Sequence, residues 1–303
     1  GGLMTTLPGL KFLRQARTIY DRVVVVGDLV RVAGCWLAGI RDIVYLDVYR
    51  TGFGRPYGRA ERWLISRVAR VAFNRHPDLA ASLQRSGVDA RFTGNVMMDA
   101  IPRGDYDAYR RRRARQAVTL LPGSRQWVPE SFRLQIEALR LLPADVMPDV
   151  FVAIAGGVSI DALARAANLD FHGPMTGEAG DLGMLAKGAL TVHLARGSVI
   201  GNLFDASDLV LSQAGTATTQ AVGLGVPALT FINPRDRASR VRDENRLFGE
   251  ARRIVEADPA KIAGAVAALL ADDAERGRCS AIGRARIGGP GAMAGIVDAI
   301  AAR

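Results

Sequence analysis

Cysteine, histidine and lysine are all scarce in this chain of 303 residues. The small numbers of cysteines and histidines exclude disulfide frameworks and the common metal sites. Two cysteines, Cys35 and Cys279, cannot build a disulfide framework or a multi-cysteine zinc site. Three histidines, at His76, His172 and His193, form neither an HExxH pattern nor a cluster of metal ligands. Metal-dependent hydrolysis at such a site is therefore not expected. We also expect no cofactor.

The chain is basic although it has only three lysines. Its 40 Lys and Arg outnumber its 30 Asp and Glu and give a formal net charge of +10. Heavy use of Arg, Ala and Gly fits GC-rich coding, but the charge also favours anionic partners such as nucleotides or lipid headgroups. No nucleic-acid-binding motif is visible, so we expect no nucleic acid partner.

Long apolar runs are also missing. A membrane span needs ~18 uninterrupted apolar residues, whereas the best run, 29–40, is shorter and contains Arg31. The first residues, GGLMTTLPG, lack a starting Met and the layout of a signal peptide. These features predict a cytoplasmic protein, bound at most peripherally to the anionic inner face of a membrane.

Short β-branched runs alternate with helical stretches, a pattern typical of βαβ units and a parallel sheet. The length suggests two domains of about 150 residues each, and a polar stretch at 102–115 separates two such series. We expect an α/β chain with domains at 1–103 and 104–303, the last helix packing back on the first domain. The predicted strands are 23–26, 43–46, 68–73, 91–93, 117–121, 150–155, 190–194, 208–211 and 227–231. The predicted helices are 30–38, one entered at Pro77, 129–142, 216–224, 259–271 and 291–302, and the Gly-rich segment 170–188 is expected to be irregular.

Two strand-to-helix turns carry residues suited to a phosphate group. The first has Gly123, Ser124 and Arg125 after a buried strand, which combine close backbone approach, a hydroxyl and a guanidinium. The second is Gly215-Thr216-Ala217-Thr218, with Gln220 one turn later, where a helix N-terminus offers N–H groups. Each turn alone is also compatible with an ordinary βα connection or a threonine N-cap. Because both follow strands of one series, we expect them to open on the same edge of one sheet.

Two further positions end strands of the first series. Asn95 and Asp99 in the run TGNVMMD could orient a ligand, or could simply form a turn. Asp28 follows the run of valines at 23–26, where a carboxylate is placed for general-base work. The alternative for Asp28 is an N-cap of the following helix.

The motifs together resemble a known family. LLPGSR at 120–125, AGTATTQAVGLGVP at 214–227 and FTGNVMMD at 92–99 resemble lipid-A-disaccharide synthase and proteins related to it. GDL at 27–29, NRLFG at 245–249 and GGPGA at 288–292 also fit the related group. The resemblance implies a GT-B fold, with two Rossmann-like domains and parallel sheets. It also implies a metal-independent inverting glycosyltransferase that moves a sugar from a UDP-sugar to a lipid or glycolipid acceptor.

The resemblance also implies roles for individual residues. Ser124 and Arg125 would approach the donor diphosphate, and residues 215–218 would cradle the diphosphate and sugar. Gln220 stands where the synthase has a Glu that contacts the donor, so donor identity is open. Asn245 would lie in a donor-side loop, and Asp28 falls near the position of the synthase's base.

The family's first domain opens with a Gly-rich strand-turn-helix, and nothing like it precedes Gly1. We therefore expect an incomplete N-terminal domain that could leave this chain able to bind donor without turnover. Two alternatives stay open. A UDP-sugar 2-epimerase carries a motif similar to that at 94–99, and a non-catalytic nucleotide-sugar-binding protein would need only the donor site.

Overall fold

The computed structural model describes residues 6–123, 127–174, 176–232 and 238–302. The chain forms two compact units: unit 1 comprises 1–99 and 290–303, and unit 2 comprises 100–289. Each unit has its own sheet and its own core, and each is described by itself below.

The strands are β1 (Val24–Val26), β2 (Ile43–Asp47), β3 (Ala69–Asn74), β4 (Ala90–Arg91), β5 (Ala117–Leu121), β6 (Asp149–Ile154), β7 (Asp170–His172), β8 (Asp181–Lys187), β9 (Leu190–Arg196), β10 (Leu209–Ser212), β11 (Ala228–Ile232) and β12 (Arg252–Glu256). The α-helices are α1 (Thr6–Ile19), α2 (Leu29–Leu37), α3 (Arg59–Val68), α4 (Pro77–Gln84), α5 (Val96–Asp99), α6 (Val128–Leu139), α7 (Ile160–Ala167), α8 (Ile200–Asp205), α9 (Thr216–Leu224), α10 (Ala238–Phe248), α11 (Pro259–Ala271), α12 (Asp273–Ile287) and α13 (Ala292–Ala301).

The sheet of unit 1 is parallel, in the order β1-β2-β3-β4. Its central strand β2 is apolar at successive positions because both faces of the sheet are covered. Ile43 and Tyr45 belong to the core that includes residues of α2, α3 and α4. Val44 and Leu46 point to the opposite face and pack with α13. The last helix is therefore part of unit 1, far in sequence from the sheet it covers.

Unit 2 has an eight-stranded sheet in the order β12-β11-β10-β5-β6-β9-β8-β7. The six strands from β12 to β9 are parallel, whereas β8 and β7 extend the sheet with antiparallel pairing. The prediction of an irregular segment at 170–188 is therefore wrong. Strand β8 reads DLGMLAK and has no β-branched residue, so its pairing with β9 rather than its own propensity makes it a strand.

Helix α13 is held at both ends by side chains of unit 1. Asp99 accepts hydrogen bonds from the backbone N–H groups of Gly291 at 2.5 Å and Met293 at 3.0 Å. At the other end, Arg22 and Arg70 donate to the carbonyl of Ala302 at 2.8 and 2.9 Å. A carboxylate at the N-terminus and guanidinium groups at the C-terminus both interact favourably with the helix dipole. Asp99, expected from the sequence as a possible ligand contact, is thus a helix cap here.

None of the helices in the described ranges has both the length and the apolar composition needed to cross a bilayer.

Candidate functional site

The two phosphate-type turns leave neighbouring strands of unit 2. Strand β10 pairs in parallel with β5, with Ser212 opposite Leu121. The pairing continues one residue further, because the Gln213 N–H donates to the Leu121 carbonyl at 2.8 Å. Parallel neighbours end at the same edge of a sheet, where α/β proteins bind ligands. The prediction that both turns open on one edge is confirmed.

Gly123 brings the two turns into contact. Its φ of +100° lies in the region that favours glycine. A Cβ at this position would lie 3.5 Å from the carbonyl oxygen of Gln213. That distance is an ordinary van der Waals contact, so the positive φ, and not a lack of space, favours glycine here, and the two turns lie side by side. Ser124 and Arg125, the next two predicted site residues, lie outside the described residues.

Helix α9 presents its N-terminus at this edge. Gly215 occupies the N-cap position, and no side chain in the described part of the chain caps the helix there. Gly215 and Thr216 are exposed and Ala217 is half-buried. The first intrahelical bond shown runs from the Thr219 N–H to the Gly215 carbonyl at 3.1 Å. Among the described residues, the N–H groups of this first turn have no hydrogen-bond partner, so they can meet an anion, which the helix dipole favours there.

Thr218 builds the turn from inside. Only 1% of the residue is exposed, and its hydroxyl lies 2.6 Å from the Ser212 hydroxyl and donates to the Ala214 carbonyl. Ser212 in turn accepts from the Ala214 N–H at 3.1 Å. These bonds fix the path of the chain between β10 and α9. Any contact of Thr218 with a ligand would come from its backbone N–H, because its hydroxyl is already engaged.

Gln220 is also turned inward. The residue is 8% exposed, and its Nε2 donates to the Ala100 carbonyl at 3.1 Å. Its amide therefore ties α9 to the first residue of unit 2. The role in donor contact expected for Gln220 stays a prediction.

Asn245 lies in helix α10, not in the loop that the resemblance implies. Its Oδ1 is buried and has no hydrogen-bond partner among the described residues. On the same helix, Glu244 pairs with Arg252 at 3.2 Å, and the Arg252 guanidinium stacks over Phe248 at 4.6 Å. A buried, unpaired amide oxygen is unusual in a folded protein, and the role of Asn245 toward a donor stays a prediction.

In unit 1, Asp28 follows β1 and occupies the N-cap position of α2. It is exposed, and its carboxylate makes no capping bond. Asn95, by contrast, is 1% exposed, and its Oδ1 accepts from the Met97 N–H at 3.1 Å. Asn95 thus caps the short helix α5, which is the turn-forming alternative. Asp28 lies at a strand end, where its carboxylate has no hydrogen-bond or ion-pair partner among the described residues.

Sequence reasoning missed a buried polar cluster where β2 and β3 end. Asp47, 3% exposed, accepts the Tyr57 hydroxyl and the N–H groups of Tyr49 and Arg50, both at 3.0 Å. Asn74 donates to the Tyr57 hydroxyl at 2.8 Å. Burial and the Asp47 carboxylate both raise the pKa of Tyr57, which stays a hydroxyl donor. Polar residues ending the runs IVYL and VAF were the available signal.

No group of three or more His, Cys, Asp or Glu side chains in the described ranges is arranged to hold a metal ion.

No family model and no curated protein matches the sequence. Among solved structures, the chain is similar to a putative UDP-N-acetylglucosamine 2-epimerase from Listeria monocytogenes, with a TM-score of 0.58 and 16% identity over 97% of this chain and 77% of that one. MurG of Acinetobacter baumannii gives 0.58 and 14% over 97% and 78%. The MnaA–UDP co-structure of S. aureus gives 0.58 and 15% over 96% and 77%.

At these identities the similarity shows the fold. The chain is an α/β protein of the GT-B fold with Rossmann-like units, as predicted. The parallel sheets expected from the sequence are confirmed, with the antiparallel strands β7 and β8 added at one edge.

Proposed function

We propose that the edge of unit 2 where β5 and β10 end binds the diphosphate of a UDP-sugar. One observation carries the proposal: the exposed N-terminus of α9 lies beside the turn at Gly123, where an added Cβ would lie 3.5 Å from the Gln213 carbonyl oxygen. Two backbone-lined turns on adjacent strands are suited to a pyrophosphate, since N–H groups and a positive dipole end meet negative oxygens. The MnaA structure among the similar folds was solved with UDP.

We further propose a metal-independent inverting transferase, related to lipid-A-disaccharide synthase, with a lipid or glycolipid acceptor. The motifs at 120–125 and 214–227 support this reading. Arg125 and the N–H groups of α9 would stabilise the leaving UDP, because they oppose the negative charge that develops on it. Asp28 would accept the proton of the acceptor hydroxyl, since its carboxylate is exposed and makes no capping bond to the helix that the structure describes after it. The basic surface would favour an anionic membrane face.

A UDP-sugar 2-epimerase is the second candidate. The solved structure from Listeria monocytogenes is described by this activity, and so is one from Neisseria meningitidis bound to UDP-GlcNAc, with a TM-score of 0.56 and 15% identity. Both candidates use the same donor site and differ in what happens to the sugar after binding.

The experiment that separates them is incubation with UDP-N-acetylglucosamine, with and without a glycolipid acceptor, followed by chromatography of all products. A transferase releases UDP only with acceptor and extends the glycolipid. An epimerase converts the nucleotide sugar to its 2-epimer without acceptor. Binding without either product would identify a non-catalytic nucleotide-sugar-binding protein, and absence of binding would contradict the donor site itself.

A further inference from the structure

Unit 2 has a cavity of about 800 Å³ at the antiparallel end of its sheet. Its floor includes Met184 of β8 and His193 of β9, which are paired across the two strands. One wall comes from the segment at 105–113 and the other from the loop at 176–179. None of its lining residues belongs to the β5 and β10 edge. Its volume is within the range of small-molecule sites.

The cavity is a built structure, because one arginine joins its two walls. Arg111 donates to Glu178 at 2.6 Å and to Asp181 at 3.1 Å, and its side chain is 12% exposed. The guanidinium also lies 4.0 Å above the ring of the buried Tyr106. A largely buried guanidinium with two carboxylates and an aromatic face is geometrically well fixed. Glu178 and Asp181 are thus both paired with the positive charge of Arg111.

Two other cations on the same wall have no ion-pair partner among the described residues. Arg110 and Arg113 line the cavity, and neither has a carboxylate within ion-pair distance among the described residues. One guanidinium nitrogen of Arg113 donates hydrogen bonds to the carbonyls of Arg110 and Arg112, each at 2.9 Å, which positions the guanidinium. Asp105 is a further carboxylate in the lining and is exposed. A phosphate or carboxylate is the natural partner of a pair of guanidinium groups.

The floor offers an apolar surface with one polar group. His193 packs against Phe151 with ring centroids 5.5 Å apart, and no hydrogen bond of its imidazole is present among the described residues. Burial lowers the pKa of His193 and the nearby Arg111 lowers it further, so the ring is neutral at pH 7. A neutral imidazole beside a methionine thioether suits a flat ring, which gains contact with both.

We propose that this cavity binds a small organic anion with a planar ring. Arg110 and Arg113 hold its phosphate or carboxylate, and Met184 and His193 contact the ring. The site is separate from the proposed donor site and does not depend on it.

The test uses the whole chain and the imidazole NMR signals, which are simple because the protein has three histidines. Phenyl phosphate and benzoate are the probes, and inorganic phosphate and benzyl alcohol are the comparison compounds. The variant His193→Gln identifies which imidazole signal belongs to His193. We expect either probe to move the His193 signal saturably and to leave that of His76, in unit 1, unchanged. Inorganic phosphate and benzyl alcohol should each bind about tenfold more weakly, since each has half of the recognised chemistry.

The variants Arg110→Ala and Arg113→Ala should weaken probe binding about tenfold or more. Arg115→Ala is the matched control. Arg115 belongs to the same basic run, but its side chain is 81% exposed, pairs with Asp273 and does not line the cavity. Far-UV and near-UV circular dichroism confirm that each variant is folded. The proposal is overturned if neither probe moves His193, if all three variants weaken binding equally, or if inorganic phosphate or benzyl alcohol binds as tightly as the probes.

Discussion

Thr216 and Thr218 show how two residues of one type serve different purposes at the same helix end. Thr216 is exposed, whereas Thr218 is buried and its hydroxyl is bonded to Ser212 and Ala214. Within the described part of the chain, an internal hydroxyl fixes this turn and no side chain caps the helix, so the N–H groups at the helix end are left without a partner there. Thr218 therefore supports the candidate site without a ligand contact from its hydroxyl.

We expect Thr218→Val to lower the free energy of unfolding by about 1–3 kcal/mol, because it leaves buried hydrogen-bonding groups without their partner. Thr216→Val is the matched control and should change stability by less than about 0.5 kcal/mol, as exposed substitutions usually do. Urea unfolding followed by circular dichroism measures both values. Equal effects at the two positions would contradict the buried role of Thr218.

Ala217 allows a test of binding that does not depend on damage to the fold. We expect Ala217→Asp to weaken UDP binding by tens of fold, since like charges about 5 Å apart at a surface repel by about 3 kcal/mol. The same carboxylate should stabilise the helix, because the first turn favours negative charge. Ala217→Asn, of the same size but uncharged, is the control. Calorimetric titration with UDP checks the ratio, and undiminished affinity in the Asp variant would count against the site.

At the residue scale, glycines that end strands could be predicted from the sequence, whereas the long-range hydrogen-bond partners of polar side chains could not. Gly123 and Gly215 could be placed at strand ends from composition alone, since small residues there mark turns. The partner of Gln220, the Ala100 carbonyl, is 120 positions away in sequence, and the Asp47–Tyr57 bond joins a strand to an irregular loop. Such long-range polar pairs depend on the tertiary fold and leave no local pattern.

At the element scale, α13 depends on contacts with distant residues. Asp99 satisfies two N–H groups at its start, and Arg22 and Arg70 satisfy carbonyls at its end. Ile296 and Ala299 of this helix pack against β2 and β3. The helix thereby closes one face of the unit 1 sheet.

We expect Asp99→Ala to destabilise unit 1 by about 1–2 kcal/mol, the usual cost of a lost N-cap. Hydrogen exchange measured by mass spectrometry should show the loss of protection first in α13. Asp298→Ala, at an exposed position near the C-terminal end of the same helix, should not destabilise it, because a negative charge near a helix C-terminus is unfavourable to begin with. Unchanged protection of α13 in the Asp99 variant would show that the cap is dispensable.

Helix α12 gives a pH prediction. Glu275 accepts hydrogen bonds from Arg278 at 2.7 and 2.8 Å and from Arg253 of β12, which hold its pKa at about 2, below the ordinary 4.5. Since the pKa is lower in the folded state, the stabilising effect is complete above pH 4.5 and disappears as the pH falls toward 2.

We expect Glu275→Gln to unfold at a lower temperature than the original protein above pH 4.5, and the difference to vanish near pH 2. High salt should reduce the difference, because exposed charges are screened. Melting curves across this pH range measure it. A difference that is constant with pH would mean that the ionisation of Glu275 is not its cause.

Elements with strong local signals could be predicted, and those made by pairing could not. The run of valines before Gly27, the strand at 117–121 and the helices at 216–224 and 259–271 are found where the sequence places them. Strand β8 was missed because Gly183 and alanine weaken its strand signal and β9 supplies its pairing. Tertiary pairing therefore overrode local propensity at one edge of the sheet.

At the scale of the whole molecule, alternating βα units predicted the α/β class and the parallel sheets, because such units leave few topologies open. The GT-B architecture was implied by the resemblance of the motifs at 92–99, 120–125 and 214–227 to a known family. Each unit covers both faces of a parallel sheet, so buried strands read as continuous apolar runs. The return of α13 to unit 1 depends on contacts nearly two hundred positions apart in sequence, between Asp99 and Gly291. The candidate site, in contrast, lies within unit 2 and combines turns from adjacent strands.

We propose that the turns after β5 and β10 together bind a diphosphate. Hydrogen exchange of the whole chain with saturating UDP, read peptide by peptide, tests this binding most directly. We expect new protection in the peptides that span 121–127 and 213–220, with unit 1 unchanged. Protection confined to other parts of the chain, or protection of only one of these two turns, would contradict it.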